Sequence, residues 1–132
     1  MKVFISYSEA DEKWARLLRS RLAEEGFEVW NSASDIAPGD NWLLKSGRAL
    51  QAADAMIVLL SPDSAKSDWV RSEIEYALSW PQFRGRVIPV LIKPTEGVPW
   101  ILHKLHFIRA TKDVDETIGR VVGILQKLPV PA

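Results

Sequence analysis

The sequence predicts an α/β domain in which a parallel β-sheet is covered by helices on both faces. Short apolar runs alternate along the chain with longer segments whose apolar residues recur at helical spacing, and this alternation is typical of parallel sheets. Residues 55–60 are apolar without interruption, as in strands that are buried on both faces. With 132 residues, the chain is long enough for one domain with one core.

The chain begins with a predicted strand and helix. Residues 2–8 (KVFISYS) are short, mostly apolar and therefore predicted to form a buried strand. Ser8 or Asp11 is predicted to cap the following helix, and Gly26 is placed as the residue just beyond its last turn. The residues that recur at helical spacing between them are Trp14, Leu17, Leu18, Arg21 and Leu22.

A second strand and helix are separated by a long polar stretch. Residues 27–30 are predicted to form the strand, and residues 31–40 are rich in turn-forming residues, with Pro-Gly at the tip. Irregular stretches of this length often carry function. A helix is predicted from about Trp42 to Ala53, with three residues facing inward: Leu43, Gly47 and Leu50.

Residues 55–60 are the third predicted strand, and a helix follows it. Pro62 cannot continue a central strand. Ser67 is placed as the N-cap of the helix, with Asp68 in the first turn, where its charge faces the positive end of the helix dipole. At about 100° per residue, one stripe of this helix is predicted to face the core. Its members are Val70, Ile74, Ala77 and Leu78.

A second stripe on this helix contains a carboxylate among aromatic residues. Glu73 lies between Trp69, Tyr76 and Trp80 at helical spacing, whereas Glu75 points toward water. Glu73 is either a structural glutamate paired with an arginine or a working carboxylate beside flat surfaces that can stack a planar ligand. The helix follows the carboxyl end of a strand, where α/β sheets bind ligands, and this favours the second interpretation.

The last part of the chain is predicted to contain two strands and a closing helix. Residues 86–92 (RVIPVLI) form the fourth strand, and Pro89 predicts a bulge or an unpaired position within it. Residues 93–100 are a loop, and residues 106–108 are a short fifth strand. The apolar residues of the closing helix are Val114, Ile118, Val121, Val122 and Leu125.

Composition excludes several classes of function. The 17 basic and 17 acidic residues balance, so no electrostatic argument exists for binding nucleic acid or an anionic membrane. The absence of cysteine excludes disulfides, thiol catalysis and cysteine metal sites. No apolar run approaches the roughly 20 residues of a membrane-spanning helix, and the first predicted strand leaves no room for a signal peptide. We expect a cytoplasmic protein.

Familiar catalytic motifs are absent. The turn after the first strand lacks the glycine pattern of a dinucleotide-binding fold, and no phosphate-binding loop follows any strand. The positions that carry an aspartate and a lysine in a phosphoacceptor receiver domain are Leu60-Ser61 and Arg109-Ala110. His103 and His106 lack a third ligand nearby, so we expect no metal site, and no histidine lies near Ser6 or Ser8 to form a hydrolase triad.

Three segments together resemble a TIR (Toll/interleukin-1 receptor) domain of the bacterial type. Residues 2–11 (KVFISYSEAD) resemble the first box of that family, residues 34–40 are similar to its BB loop, and residues 61–78 resemble its third-strand and third-helix segment. The last segment includes the spacing Trp69-x-x-x-Glu73. The third box, usually Phe-Trp, is poorly matched by residues 106–108.

The resemblance implies a flavodoxin-like three-layer sandwich. Its five parallel strands have the order 2-1-3-4-5, with helices on both faces. The TIR domain would span residues 1–128, and residues 129–132 would begin a linker to a further domain, such as a sensor domain.

The resemblance also implies two alternative functions. One is an NAD+ glycohydrolase or cyclase that cleaves the nicotinamide–ribose bond with Glu73 as its catalytic residue, in bacterial immune or stress signalling. The implied substrate-binding residues are Ser6, Tyr7, Ser8, Trp69 and Lys45, with NAD+ as substrate and no cofactor. The other is a non-catalytic interaction module. A nucleotide-binding or flavodoxin-like carrier is a third alternative, against which the missing phosphate loop counts.

The BB-like loop is expected to mediate self-association. Asp35, Ile36, Pro38 and Gly39 belong to a loop, residues 35–41, that is too long and too apolar at Ile36 for so small a domain to bury. The resemblance suggests that this loop inserts against a neighbouring subunit. Such a head-to-tail contact can extend without closing, which would produce a filament.

Overall fold

A five-stranded, all-parallel β-sheet forms the centre of the structure, with strand order β2-β1-β3-β4-β5. The computed structural model describes residues 1–31 and 42–129, the side chains of residues 42–46 excepted. The strands are β1 (Lys2–Ser6), β2 (Glu28–Asn31), β3 (Ala55–Leu60), β4 (Val87–Leu91) and β5 (Ile108–Arg109). This sheet confirms the predicted fold class and strand order.

Helices precede or follow every strand of the sheet. They are α1 (Glu12–Glu24), α2 (Trp42–Ala52), α3 (Pro62–Ala65), α4 (Asp68–Ser79) and α5 (Val114–Lys127). Single 3-10 turns occupy Glu9–Asp11, Pro81–Phe83 and Trp100–Lys104. None of the described helices is both long and apolar enough to cross a membrane. The short helix α3 was not predicted.

Two hydrophobic clusters, one on each face of the sheet, make the three layers. The first packs α1 and α5 against Val3 and Ile5, and the second packs α2 and α4 against Phe4 and Met56. Successive residues of a strand point to opposite faces, so β1 contributes to both clusters. All six residues of β3 are buried, as their uninterrupted apolar character predicted.

The strand β4 continues through Pro89 without a bulge. Its register with β3 is unbroken, and Val58 is opposite Pro89. The amide of Ile92 donates to Leu60 of β3 at 3.0 Å, so by alternation the Pro89 nitrogen faces the other neighbour, β5. The pairing of β5 begins at Ile108, opposite Val90. The proline therefore stands where no bond to β5 is lost. Of the two predicted alternatives, the bulge is wrong and the unpaired position, on the β5 side, is confirmed.

Two strand boundaries differ from the prediction by two residues, and those of β2 and β4 by one. β1 ends at Ser6 rather than Ser8, because the chain turns there and the Asp11 amide donates to the carbonyl of Ser8 at 2.8 Å. β5 starts two residues later than predicted. The amide of Phe107 donates to Leu105 at 2.7 Å, so the backbone before Ile108 forms a tight turn instead of a ladder.

The helix ends are partly as predicted. Gly26 has φ +88° just beyond α1, and Ser67 caps α4 by accepting a 3.2 Å hydrogen bond from the amide of Val70. Asp11 stands at the N-cap position of α1, as predicted, but neither Ser8 nor Asp11 makes a side-chain capping hydrogen bond. The carboxylate of Asp11 is instead engaged with Ser61.

One predicted core residue of α4 lies at the surface. Leu78 is 41% exposed, whereas Val70, Ile74 and Ala77 are buried. Glu73, at 3% exposure, lies on the buried side of the helix in its place. The inward face of α4 is therefore centred closer to Glu73 than the apolar pattern alone predicts.

Candidate functional site

Polar side chains gather where the central strands end. Ser6 is the last residue of β1, Ser61 follows β3 directly, and Lys93 follows β4. All strands are parallel, so these ends share the carboxyl edge of the sheet. Ligands of open α/β sheets bind at this edge, so a functional site is expected there.

A buried hydrogen bond joins Ser6 to Glu73. The Ser6 hydroxyl donates to Glu73 Oε1 at 2.7 Å, across 67 positions of sequence. Ser6 is fully buried and Glu73 is 3% exposed. The hydroxyl fixes the orientation of the carboxylate, because a short bond to a charged acceptor is stronger than one between neutral groups. The structure therefore brings together two of the residues singled out in the sequence.

The helix α4 carries Glu73 to this position. Its N-cap, Ser67, lies just beyond β3 and α3, so the helix starts at the carboxyl edge and Glu73 follows less than two turns later. Glu75, on the opposite side of the helix, is exposed as predicted. The buried environment of Glu73 is thus a property of its position on α4, not of the helix as a whole.

The aromatic residues of α4 surround Glu73 in sequence but differ in exposure. Trp69 and Tyr76 are half-buried, and Trp80 is 41% exposed. The rings of Tyr76 and Trp80 stack with centroids 5.5 Å apart and an interplanar angle of 29°. The Tyr76 hydroxyl is shielded and has no hydrogen-bond partner among the described residues. Flat aromatic surface is therefore present along the helix that holds the carboxylate.

The structure does not bring Tyr7 to Glu73. The Tyr7 side chain belongs to the cluster on the α1 and α5 face, opposite the face that Ser6 shares with α4. Its hydroxyl donates to Glu12 Oε2 at 2.5 Å, and Asn31 Oδ1 lies 3.0 Å away. Ser8 is half-buried in the turn beyond β1.

Several of the other predicted site residues fall outside the described part. The side chain of Lys45 is not among the described ones, and Asp35, Ile36, Pro38 and Gly39 lie outside the described residues. The two histidines, His103 and His106, are exposed. Within residues 1–31 and 42–129, no group of three possible metal ligands is found.

A second buried carboxylate, Asp11, lies at the same edge and was missed as a site residue. Asp11 is 3% exposed and accepts a hydrogen bond from Ser61 Oγ at 2.5 Å. The ammonium of Lys93 lies 3.6 Å from its other oxygen. The sequence contains an indication that Asp11 is buried. Asp11 continues the helical spacing of the buried stripe of α1, which is formed by Ala15, Leu18 and Leu22.

A cavity of about 600 Å³ lies away from these residues. It is lined by Lys2, Trp30 and Arg48, among others, at the amino end of the sheet. This is the edge opposite to Glu73, and α/β sheets do not use it for ligands. The candidate site is therefore identified by the buried polar residues at the carboxyl edge and not by the volume of this cavity.

Comparison with known proteins gives a family match and two curated relatives. The family model described as TIR domain matches residues 3–122. The chain is 27% identical over 131 residues to the NAD(+) hydrolase PdTIR of Paracoccus denitrificans (strain Pd 1222), covering 94% of this chain and 44% of the relative. It is 33% identical over 72 residues to the 2' cyclic ADP-D-ribose synthase BtTIR of Bacteroides thetaiotaomicron, covering 54% and 25%. The chain thus spans less than half the length of either relative.

A solved structure agrees in fold. The TIR domain of the Toll-related receptor TRR-2 from Hydra magnipapillata superposes with a TM-score of 0.75 at 26% identity, covering 92% of this chain and 94% of that one. The similarity therefore extends over almost the whole of both domains.

Proposed function

Because the chain belongs to the TIR domain family, whose model matches residues 3–122, we propose that it cleaves NAD+ between nicotinamide and ribose with Glu73 as the catalytic carboxylate. The names of the two curated relatives, an NAD(+) hydrolase and a cyclic ADP-ribose synthase, support this reaction class. The observation that carries the proposal is the buried Glu73 carboxylate, held by Ser6 at the carboxyl edge of the sheet.

The reaction suits a single carboxylate. The scissile bond joins C1′ of the ribose to a pyridinium nitrogen, and the nicotinamide leaves with the bonding electron pair as a neutral molecule. No general acid is required for that departure. The transition state resembles an oxocarbenium ion, as in glycoside hydrolysis. An ionised Glu73 near the ribose stabilises the positive charge or orients the ribose hydroxyls.

The second half of the reaction determines the product. If water attacks C1′, the products are ADP-ribose, nicotinamide and one proton. If a nucleophile of the same molecule reaches C1′ first, a cyclic ADP-ribose and a proton are formed together with nicotinamide. Both outcomes use the same bond cleavage and the same carboxylate, so the proposal covers hydrolase and cyclase alike.

The neighbouring residues take defined roles in this proposal. Ser6 orients the carboxylate of Glu73 through its 2.7 Å hydrogen bond, and Trp69, one turn before Glu73, stacks on the nicotinamide ring. Ser8 and Lys45 contact the ribose and the phosphates. Tyr7 takes part only through its backbone at the end of β1, because its hydroxyl is engaged with Glu12 on the other face of the sheet.

Because Glu73 is buried, the proposed activity requires a conformational change that exposes its carboxylate. At 3% exposure, the carboxylate contacts NAD+ only after neighbouring groups move. We propose that self-association through residues 35–41 produces the open site, in a filament of head-to-tail subunits. The proposal assigns the activity to bacterial immune or stress signalling in the cytoplasm, where NAD+ is abundant.

The alternative is an interaction module in which Glu73 is structural. Similarity to the Hydra receptor domain is compatible with that role. In such a module, the bond from Ser6 to Glu73 would only satisfy two buried polar groups, and NAD+ would be neither bound nor cleaved.

The test is to incubate the protein with NAD+ and identify every product by mass spectrometry. The matched variants are Glu73→Gln and Glu75→Gln, which change a buried and an exposed carboxylate of the same helix. We expect nicotinamide release by the wild type and by Glu75→Gln, and less than about a tenth of it by Glu73→Gln, because the amide keeps the volume but loses the charge. Equal release by Glu73→Gln would overturn the catalytic assignment. No release by assembled wild type would favour the interaction module.

A further inference from the structure

The buried carboxylate of Asp11 takes no part in the proposed reaction and needs its own explanation. A carboxylate that is 3% exposed is costly unless it is paired and hydrogen-bonded. It lies in the turn after β1, at the N-cap position of α1, but its side chain makes no capping hydrogen bond. Its partners are Ser61 and Lys93, at the ends of two other strands. The group therefore connects three separate segments at the edge that holds Glu73.

From Ser61, a series of hydrogen bonds leads to the N-cap of α4, the helix that carries Glu73. Ser61 Oγ donates to Asp11 and accepts from the amide of Ser64 at 3.1 Å. Ser64 Oγ in turn accepts from the Ser61 amide at 2.9 Å, which completes a capping box at the start of α3. The amide of Ser67 donates to the Ser64 carbonyl at 3.1 Å, and Ser67 caps α4, the helix of Glu73.

Two buried hydrogen bonds thus join the same pair of segments. The end of β1 and the turn after it contribute Ser6 and Asp11, five residues apart, and the segment after β3 contributes Glu73 and Ser61. Ser61 is the N-cap of α3, which leads into α4, so its bond to Asp11 fixes the segment that enters α4. The bond from Ser6 fixes the helix itself at Glu73.

We propose that Asp11 is a positioning residue for Glu73: through Ser61 it fixes the junction between β3 and α4 and thereby the place of the Glu73 carboxylate. This inference rests on the proposed function of Glu73. Asp11 is buried and does not contact the substrate. Lys93 is 54% exposed, so its charge is screened by solvent and its contribution is secondary.

The inference is tested by the steady-state kinetics of four variants. Asp11→Ala and Ser61→Ala each remove one side of the link, and Asp11→Asn keeps an oxygen that accepts from Ser61. Asp54→Ala is the matched control, because Asp54 accepts a 2.8 Å hydrogen bond from the amide of Lys2 at the opposite edge of the sheet.

We expect kcat to fall between about tenfold and a hundredfold in the two variants without the link, since misplacing a reacting group by 1 Å has an effect of that size. KM for NAD+ stays within about twofold, because Asp11 is away from the substrate. Asp11→Asn recovers kcat to within about threefold, and Asp54→Ala keeps the wild-type kcat per folded molecule. A kcat unchanged in folded Asp11→Ala or Ser61→Ala, or lowered equally in Asp54→Ala, overturns the inference.

A second measurement separates this inference from the proposed function. If the wild type cleaves no NAD+, the backbone amide resonances of Val70 and Glu73 are compared by NMR in Asp11→Ala, Ser61→Ala and Asp54→Ala. Movement of both resonances in the first two variants and not in the third supports a positioning role without catalysis. Resonances that stay in place in the first two variants, or move equally in all three, overturn it.

Discussion

Glu73 and Asp11 are both carboxylates buried at one edge of the sheet, and each accepts a hydrogen bond from a serine hydroxyl. Glu73 accepts from the neutral hydroxyl of Ser6, a bond that orients the carboxylate without neutralising it. Asp11 faces the ammonium of Lys93 in addition to Ser61. A carboxylate that is to stabilise a cation in the transition state must keep its charge. Asp11, joined through Ser61 and Lys93 to the ends of two other strands, is suited to a structural role.

Removing the Ser6 hydroxyl is predicted to affect turnover and stability together. In Ser6→Ala, the buried Glu73 carboxylate loses a charge-assisted hydrogen bond, so the free energy of unfolding should fall by about 1–3 kcal/mol. Turnover of NAD+ should fall as well, because the carboxylate is no longer oriented. Urea denaturation and nicotinamide release measure the two effects. Ser72→Ala, at an exposed serine of the same helix, should change neither.

The second prediction at this scale concerns Trp69. Its half-buried ring is proposed to stack on nicotinamide, so Trp69→Ala should slow cleavage and lower the thermal midpoint. Trp69→Phe keeps an aromatic face and should retain most of the turnover. Rates must be normalised to folded protein, judged by circular dichroism. Wild-type turnover in folded Trp69→Ala would mean that no stacking occurs at this position.

Sequence reasoning reached the helix position of Glu73 but not all of its surroundings. Helical spacing separates Glu73 from the exposed Glu75, whereas contact with Ser6 depends on how a strand and a helix 67 residues apart are docked. Tyr7 was grouped with Ser6, although the alternation of a strand sends them to opposite faces. Asp11 was interpreted as a cap because local patterns do not reveal a partner 50 residues away.

The C-terminal end of α2 is held by one glutamine. Gln82, in the turn before β4, directs its Nε2 toward the carbonyls of Leu50, Gln51 and Ala53 at 3.0 to 3.2 Å. The last carbonyls of a helix have no partner within the helix itself. The side chain thus joins α2 to the following part of the fold.

Gln82→Ala is predicted to weaken this junction. Loss of the hydrogen bonds should reduce the free energy of unfolding by about 1–2 kcal/mol, equivalent to a few degrees in Tm for a domain of this size. Turnover per folded molecule should not change, since the junction lies at the amino edge of the sheet. Gln126→Ala, at an exposed glutamine of α5, is the control. A Tm equal to that of the control would show that solvent replaces these bonds fully.

Whether an element exists was easier to predict than where it ends. The apolar run of β3 and the periodicity of α5 predicted both elements correctly. At Pro89 the sequence left a bulge and an unpaired position open, and the unpaired position is correct. The choice depends on which strand faces the proline nitrogen, and this follows only from the pairing of the sheet. Leu78 was misplaced because a polar residue, Glu73, occupies the buried face that was assigned by apolarity alone.

At the scale of the whole molecule, activity is predicted to depend on assembly. Specific activity should rise steeply with protein concentration, because isolated subunits keep Glu73 covered. The double substitution Pro38→Ala with Gly39→Ala should flatten this dependence by altering the loop proposed to contact a neighbour. The measurement is turnover per subunit over a wide dilution series, with light scattering in parallel. A monomer that has constant turnover at every concentration would contradict the assembly proposal.

The sheet order has a further consequence during synthesis of the chain. β1 is central and pairs with β3, and Ser6 finds Glu73 only after 67 further residues have been made. Closing a loop of this length costs conformational entropy before any contact compensates for it. A nascent chain that stops short of α4 lacks Glu73, so under the proposed function unfinished or truncated products cannot cleave NAD+. Under the proposed function, the chain therefore stays inert toward NAD+ at least until α4 has been made and has docked on the sheet.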